Sequence, residues 1–164
     1  MMILGISGCT ALLVTGYGVK DSVTNIADMQ YDEIQLFDIG ITFSESVQGA
    51  DIGAMAEQLD GKLEQTACHY EESVDLDFSG RTKSVNLMIP ENVEEISTFL
   101  NLHTQSGEPI PYPAAGGAVL TAKMAENMGI KVGDKVTLRD SDMNTLTVTV
   151  SALCENFVYN YIYM

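Results

Sequence analysis

The chain has 164 residues, with 8 Lys plus Arg against 23 Asp plus Glu, a formal net charge of −15. That length fits one domain with at most an appended segment, and 46% apolar residues suffice for a core, which excludes disorder of the whole chain. The charge excludes ordinary nucleic-acid binding and docking on anionic headgroups through a polybasic face, because both need clustered cations.

The charge is unevenly spread. Residues 1–19, MMILGISGCTALLVTGYGV, carry none; residues 21–80 hold 14 acids and the single base Lys62; from Arg81 onward 9 acids meet 6 bases. The chain thus reads as an apolar head, a very acidic middle and a mixed remainder. A bilayer-crossing helix needs about 20 predominantly apolar residues, and residues 1–19 are read first as such a helix. Two other readings stay open. One is a secreted head, but no base precedes the apolar run, and the lipobox-like Ile6-Ser7-Gly8-Cys9 is followed by more apolar residues where a polar linker is expected. The other is a buried element of a soluble domain, which the unbroken lack of charge disfavours. With no Lys or Arg on the N-terminal side of the head, the sequence predicts that further chain precedes Met1.

Helical spacing continues past the head. Leu12, Gly16, Val19, Val23, Ile26 and Gln30 fall at steps of three and four, which predicts one helix reaching about Gln30. Residues 31–43 change to period two. Ile34 and Leu36 alternate in one parity and Ile39, Ile41 and Phe43 in the other, predicting a long strand bulged or bent at Phe37-Asp38. Ile52, Met55, Ala56, Leu59 and Leu63 mark a helix over 51–64, with Asp60-Gly61 as an early stop. A strand follows over 66–70. Val74, Leu76 and Phe78, then Val85, Leu87 and Ile89, predict a hairpin around a turn at 79–82.

Pro90 stops that strand, and Val93, Ile96, Phe99 and Leu100 mark a short helix. Pro109, Pro111 and Pro113 make 106–117 a loop. A strand over 118–120 leads to Thr121, a helix N-cap, and to a helix through Met124, Ala125 and Met128 that stops at Gly129. Gly133-Asp134 is a tight turn. Val136 and Leu138 open a strand, 140–144 is polar turn chemistry, and Leu146, Val148, Val150 and Ala152 alternate on the return. The final NFVYNYIYM offers no evident closing element, which predicts further chain beyond Met164. The sum is an α+β chain: an N-terminal membrane helix extending into a mixed, hairpin-rich domain with short helices.

Chemical motifs are missing. The chain has no P-loop, GxSxG, HExxH, GxGxxG or CxxC pattern. Cys9, Cys68 and Cys154 are far apart in sequence. Cys68 and Cys154 fall on predicted strands and are read as two free thiols, a disulfide being the other option in an oxidising exterior. Cys68-His69 lacks the further ligands of a metal site, and His69 and His103 are read as structural or surface residues. Glu71, Glu72, Asp75 and Asp77, and the pair Asp140 and Asp142, are read as solvated strand and turn faces, with divalent-cation binding as the lesser reading. No catalytic, cofactor-binding or metal-binding residue is nominated, and a hydrolase is disfavoured.

The segment 116–138, GGAVLTAKMAENMGIKVGDKVTL, resembles a segment of the extracytoplasmic domains of FtsX-like ABC transporter permeases, the MacB-like periplasmic core domain. Gly117, Val119, Leu120, Ala125, Gly129, Val132, Gly133, Asp134 and Val136 carry the match. The layout agrees as well: a membrane helix running straight into a long strand, and a strand soon after the Gly-Asp turn. The matched residues are turn formers and core packers, not reacting groups. The resemblance implies part of a first membrane helix over 1–19 and an extracytoplasmic domain over 20–164, at the cell membrane. It implies a noncatalytic, cofactor-free role that couples ATP-driven helix movement to substrate export or to activation of a partner. The implied partners are a separate ABC ATPase subunit, a second permease copy and membrane lipid. A secreted or lipid-anchored α+β binding module with an acidic surface stays beside this as the other reading.

Overall fold

A computed structural model describes residues 2–43, 49–59 and 61–164. Helix α1 (Met2–Asp28) runs without a break into a single π-helical turn (Met29–Ile34). Gly16 and Gly18 do not interrupt it. α2 (Gly49–Gln58) follows, then strands β1 (His69–Phe78) and β2 (Arg81–Pro90), helix α3 (Val93–Phe99), strand β3 (Gly117–Thr121) and helix α4 (Ala122–Met128). Strands β4 (Lys135–Arg139), β5 (Thr145–Cys154) and β6 (Tyr161–Tyr163) complete the order. The predicted span over 1–19 falls within α1 apart from Met1, which lies outside the described residues, as does Asp60 of the predicted helix stop. Among the described residues, no helix is long and apolar enough to cross a membrane.

The six strands close into one barrel in the order β1-β2-β6-β3-β5-β4. β2 with β6 and β3 with β5 are parallel; the other four pairings are antiparallel. The alternation seen in the sequence supplies the inward row: Val74, Leu76, Val85, Leu87, Val136, Leu138, Val148 and Val150. Met124, Ala125 and Met128 of α4 pack against this row. Closure leaves no bare edge, which a six-stranded sheet with one buried face would otherwise expose.

A second apolar cluster lies on the outer face. It gathers Ile34, Met88, Ile96, Leu100, Leu102, Val119, Cys154, Tyr161 and Tyr163. β3 serves both: Ala118 and Leu120 face inward, and Val119 faces outward. β5 changes sides. Its register against β3 skips Ser151, so Val150 lies opposite Ala118 and Ala152 opposite Val119. An extra residue reverses the facing of everything after it. Val148 and Val150 therefore enter the barrel while Ala152 and Cys154 join the outer cluster. The uniform alternation predicted through Ala152 holds only as far as Val150.

Three further expectations are corrected. The predicted strand over 31–43 begins as the π-helical turn, and the rest is extended chain with one bridge, Gln35 to Leu100. Burial of Gln30 and Ile34, four apart and on one helical face, outweighs the period-two pattern. Ile39 and Ile41 stay 72% and 54% exposed. Of the strand predicted over 66–70, only His69 and Tyr70 are strand, as the start of β1, and 66–68 lie outside it. The chain end carries β6, where Tyr161, Ile162 and Tyr163 are all buried; three residues are too few to show a period. Thr121 does occupy the N-cap position of α4, but its hydroxyl turns away, accepting from Tyr161 N at 2.9 Å and donating to Tyr161 O at 3.3 Å.

The β1–β2 turn is a two-residue loop, Ser79-Gly80, with φ of 49° and 77°. Positive φ at both positions is the type I′ geometry that suits the twist of paired strands, and Asn-Gly is its preferred sequence. Ser79→Asn is expected to raise stability by about 0.5–1 kcal/mol, because Asn tolerates the left-handed region better than Ser. Thermal unfolding measures it; an unchanged or lowered midpoint would contradict the turn geometry.

Candidate functional site

The root of α1 is held by a buried polar arrangement. Gln30 is completely buried and Asn156 nearly so. Gln30 Oε1 accepts from the backbone N–H of Phe157 at 2.9 Å and of Val158 at 3.3 Å, and Gln30 Nε2 donates to Asn156 Oδ1 at 2.9 Å. Asn156 Nδ2 in turn donates to Val158 O and Tyr159 O. The two backbone donors fix which end of the Gln30 amide faces the loop. Both carbonyl lone pairs of Gln30 are thereby used, as a buried amide requires. The loop it grips, residues 155–160, is the connection between β5 and β6.

The end of the helix is tied a second time. The π-type bond runs from Gln35 N to Gln30 O at 2.9 Å. The carbonyls of Glu33 and Ile34, which a helix terminus leaves without partners, accept from Asn101 Nδ2 at 3.0 Å and Asn101 N at 2.9 Å. Leu36 N donates to Phe99 O at 2.9 Å. Ile34 is 1% exposed in the outer cluster, against α3 and β6 residues. The root is thus held by the β5–β6 loop on one side and by the chain after α3 on the other.

Above the root, the described side chains of α1 from Ser7 to Asp28 are exposed. Leu12, Leu13, Val14, Tyr17, Val19, Val23 and Ile26 are all exposed. Thr15 and Ser22 return their hydroxyls to the carbonyls of Ala11 and Gly18, both at 2.8 Å, which satisfies them without solvent. At about 1.5 Å per residue the helix is about 40 Å long.

The nine motif residues build a different part of the domain. Gly117 opens β3, where a Cβ would meet Ala114 O at 3.1 Å. Val119, Leu120, Ala125 and Val136 are fully buried. Gly129 ends α4 in the left-handed region with φ of 77°. Gly133, at φ of 93°, donates its N–H to Val150 O, and Asp134 Oδ2 accepts from Lys131 N at 2.8 Å. Val132 is exposed. None of the nine hydrogen-bonds to Gln30 or Asn156. Sequence reasoning did not nominate Gln30, Asn101 or Asn156. The available signal was Gln30 itself, a polar residue placed on an otherwise apolar helical stripe.

Most of the residues in the acidic sets have structural partners. Arg139 pairs with Asp75 at 3.7 Å and Asp77 at 3.4 Å. His69 holds Glu71 below the ordinary carboxyl range. All three cysteines are free, and burial pushes the Cys154 thiol up to about 12. Burial likewise raises Cys68, with Glu91 and Glu95 adding to it, so neither thiol is activated. Among the described residues, no three His, Cys, Asp or Glu side chains are grouped to hold a metal ion.

Two predictions follow from this geometry. Gln30→Ala leaves two backbone donors and part of the Asn156 amide without partners, and is expected to cost about 2–4 kcal/mol. Hydrogen exchange should show lost protection at Phe157 and Val158 first; uniform loss across the barrel would mean the root is not a separate lock. At the β4–β5 turn, Asp140 is held low by the Asn144 side chain and by the N–H groups of Asn144 and Asp142. A depressed folded value means this stabilisation is present above the unfolded pKa and is lost as pH falls through the folded one. The Asp142 and Asn144 amides should lose protection over that acidic window, and Asp140→Asn should abolish the pH dependence.

The chain was compared with known proteins. Residues 1–163 match the model of the MacB-like periplasmic core domain. No curated protein matches the chain. Among solved structures, the extracellular domain of the noncanonic ABC-type transporter YknZ from Gram-positive bacteria is similar at 16% identity and a TM-score of 0.48, over 79% of this chain and 72% of that one. With the family model covering all but the last residue, the chain belongs to the MacB-like periplasmic core domain family.

Proposed function

We propose that this chain is the extracytoplasmic domain of an ABC-transporter permease and that it relays movement of a membrane helix to the barrel. The role is noncatalytic. ATP hydrolysis takes place in a separate ATPase subunit, a second permease copy completes the membrane assembly, and residues 20–164 stand outside the cell membrane. Residues 1–19 belong to the first membrane helix, whose flanking contacts are with lipid. The observation that carries this reading is the unbroken passage from α1 through the π-helical turn into the buried Gln30 lock.

Mechanically, a lever needs stiffness and a fixed root. The helix continues past the apolar head, from Lys20 to Asp28 and through the π-helical turn, so it reaches the domain without a loop. Two independent sets of hydrogen bonds at the root convert a shift or tilt of the helix into a push on the β5–β6 loop and on the chain after α3. A low-charge exterior suits the membrane segment, and a domain poor in Lys and Arg suits the outer side. The Cys9-anchored module is disfavoured by the same continuity, since Cys9 lies inside the helix with no linker after it.

The test is a flexible Gly-Ser insertion after Ser22 in the whole permease with its ATPase. The expected result is retained ATP hydrolysis with export or partner activation lost. Unchanged export or activation would overturn the lever.

A further inference from the structure

A cleft of about 510 Å³ opens between β2, α4 and the β5–β6 loop. Its lining differs from the rest of the chain in charge. Arg81 and Lys83 line it, and no acid does, in a chain with 23 acids and 8 bases. Register explains how the two cations come to face it. Lys83 lies opposite Leu76 and Arg81 opposite Phe78 on β1. Leu76 is in the barrel core and Phe78 packs against it. Directly paired residues share a face, so the row of β2 that reads Val85 and Leu87 inside continues as Lys83 and Arg81 beyond the core. Thr82, between them, also lines the cleft, and its hydroxyl donates to Asp77.

Met124 and Met128 of α4, 2% and 8% exposed, lie at its base, and Thr82, Asn127 and Asn160 supply polar groups. Arg81 Nη1 donates to Asn127 O at 3.2 Å, which sets the guanidinium over the C-terminal turn of α4 and leaves its other N–H groups for a ligand. Lys83 is exposed and forms no ion pair among the described residues. A cation held in no structural bond, beside an arginine on the same strand face, costs stability nothing to redirect.

We propose that this cleft binds a small amphiphilic anion: one carboxylate or phosphate group between Arg81 and Lys83, on an apolar body lying over the methionines. Methionine's flexible thioether chain accommodates bodies of different shape. The net charge of −15 repels anions in general, so such a ligand is selected by this one local pair of cations. The inference stands on the cleft alone and does not depend on the lever.

The test uses the full chain in nanodiscs of zwitterionic lipid, with methyl-labelled methionines followed by NMR. Hexanoate and hexyl phosphate are titrated, with hexylammonium and inorganic phosphate as controls. The Met124 and Met128 methyl signals should move saturably with one or both hexyl anions and with neither control. Response to one anion only assigns the headgroup as carboxylate or phosphate. Lys83→Gln should weaken binding about tenfold, the scale of one hydrogen bond to a charged group, with the rest of the spectrum unchanged. Absence of saturable movement, equal response to hexylammonium, binding of inorganic phosphate as tight as hexyl phosphate, or unchanged affinity in Lys83→Gln would each overturn the proposal.

Discussion

The arrangement turns on one buried amide. Gln30 ends a helix whose other described side chains are exposed from Ser7 to Asp28, and it enters the domain to satisfy two backbone N–H groups and Asn156. A buried polar group without partners costs about 1–3 kcal/mol. The same group fully satisfied resists any displacement that would break several bonds together. Here the helix widens into a π-helical turn. The wider turn brings Gln30 and Ile34 onto the same buried face, while Asn101 takes the carbonyls left open at the end. Everything proposed for the lever depends on this root being rigid.

The barrel supplies the fixed point against which the root works. Its strands carry two cores at once, one inside and one outside, and the side-chain period of two makes this possible wherever both neighbours are covered. The tyrosines show how the outer core is built. Tyr161 and Tyr163 stack at 5.6 Å and Tyr112 meets Tyr163 edge-on at 6.5 Å. Burial raises all three hydroxyls, Tyr161 to about 12. They are neutral packing groups in the cluster that also buries Ile34.

Much of this was legible in the pattern of residues. The hairpin of β1 and β2, the Gly129 stop of α4, the Gly133-Asp134 turn and the start of β5 all appear where alternation, glycine placement and turn chemistry put them. The nine residues that suggested the family are local in the same way, most of them governed by a φ angle or by one face of a short element. The candidate site was not. Asn101 and Asn156 look like loop residues in sequence, and their roles depend on partners 68 and 126 positions away.

Local chemistry thus settled the strand faces, the turns, the apolar head and the acidic remainder, because each depends on neighbours within a few residues. Long-range packing settled the other features: barrel closure through the short β6, the reversal of β5 at Ser151, and the conversion of 31–34 from a predicted strand start into part of the helix root. Each of these weighs one segment's own preference against burial beside a distant one. Local pattern carries the first term of that balance, and only the folded chain supplies the second.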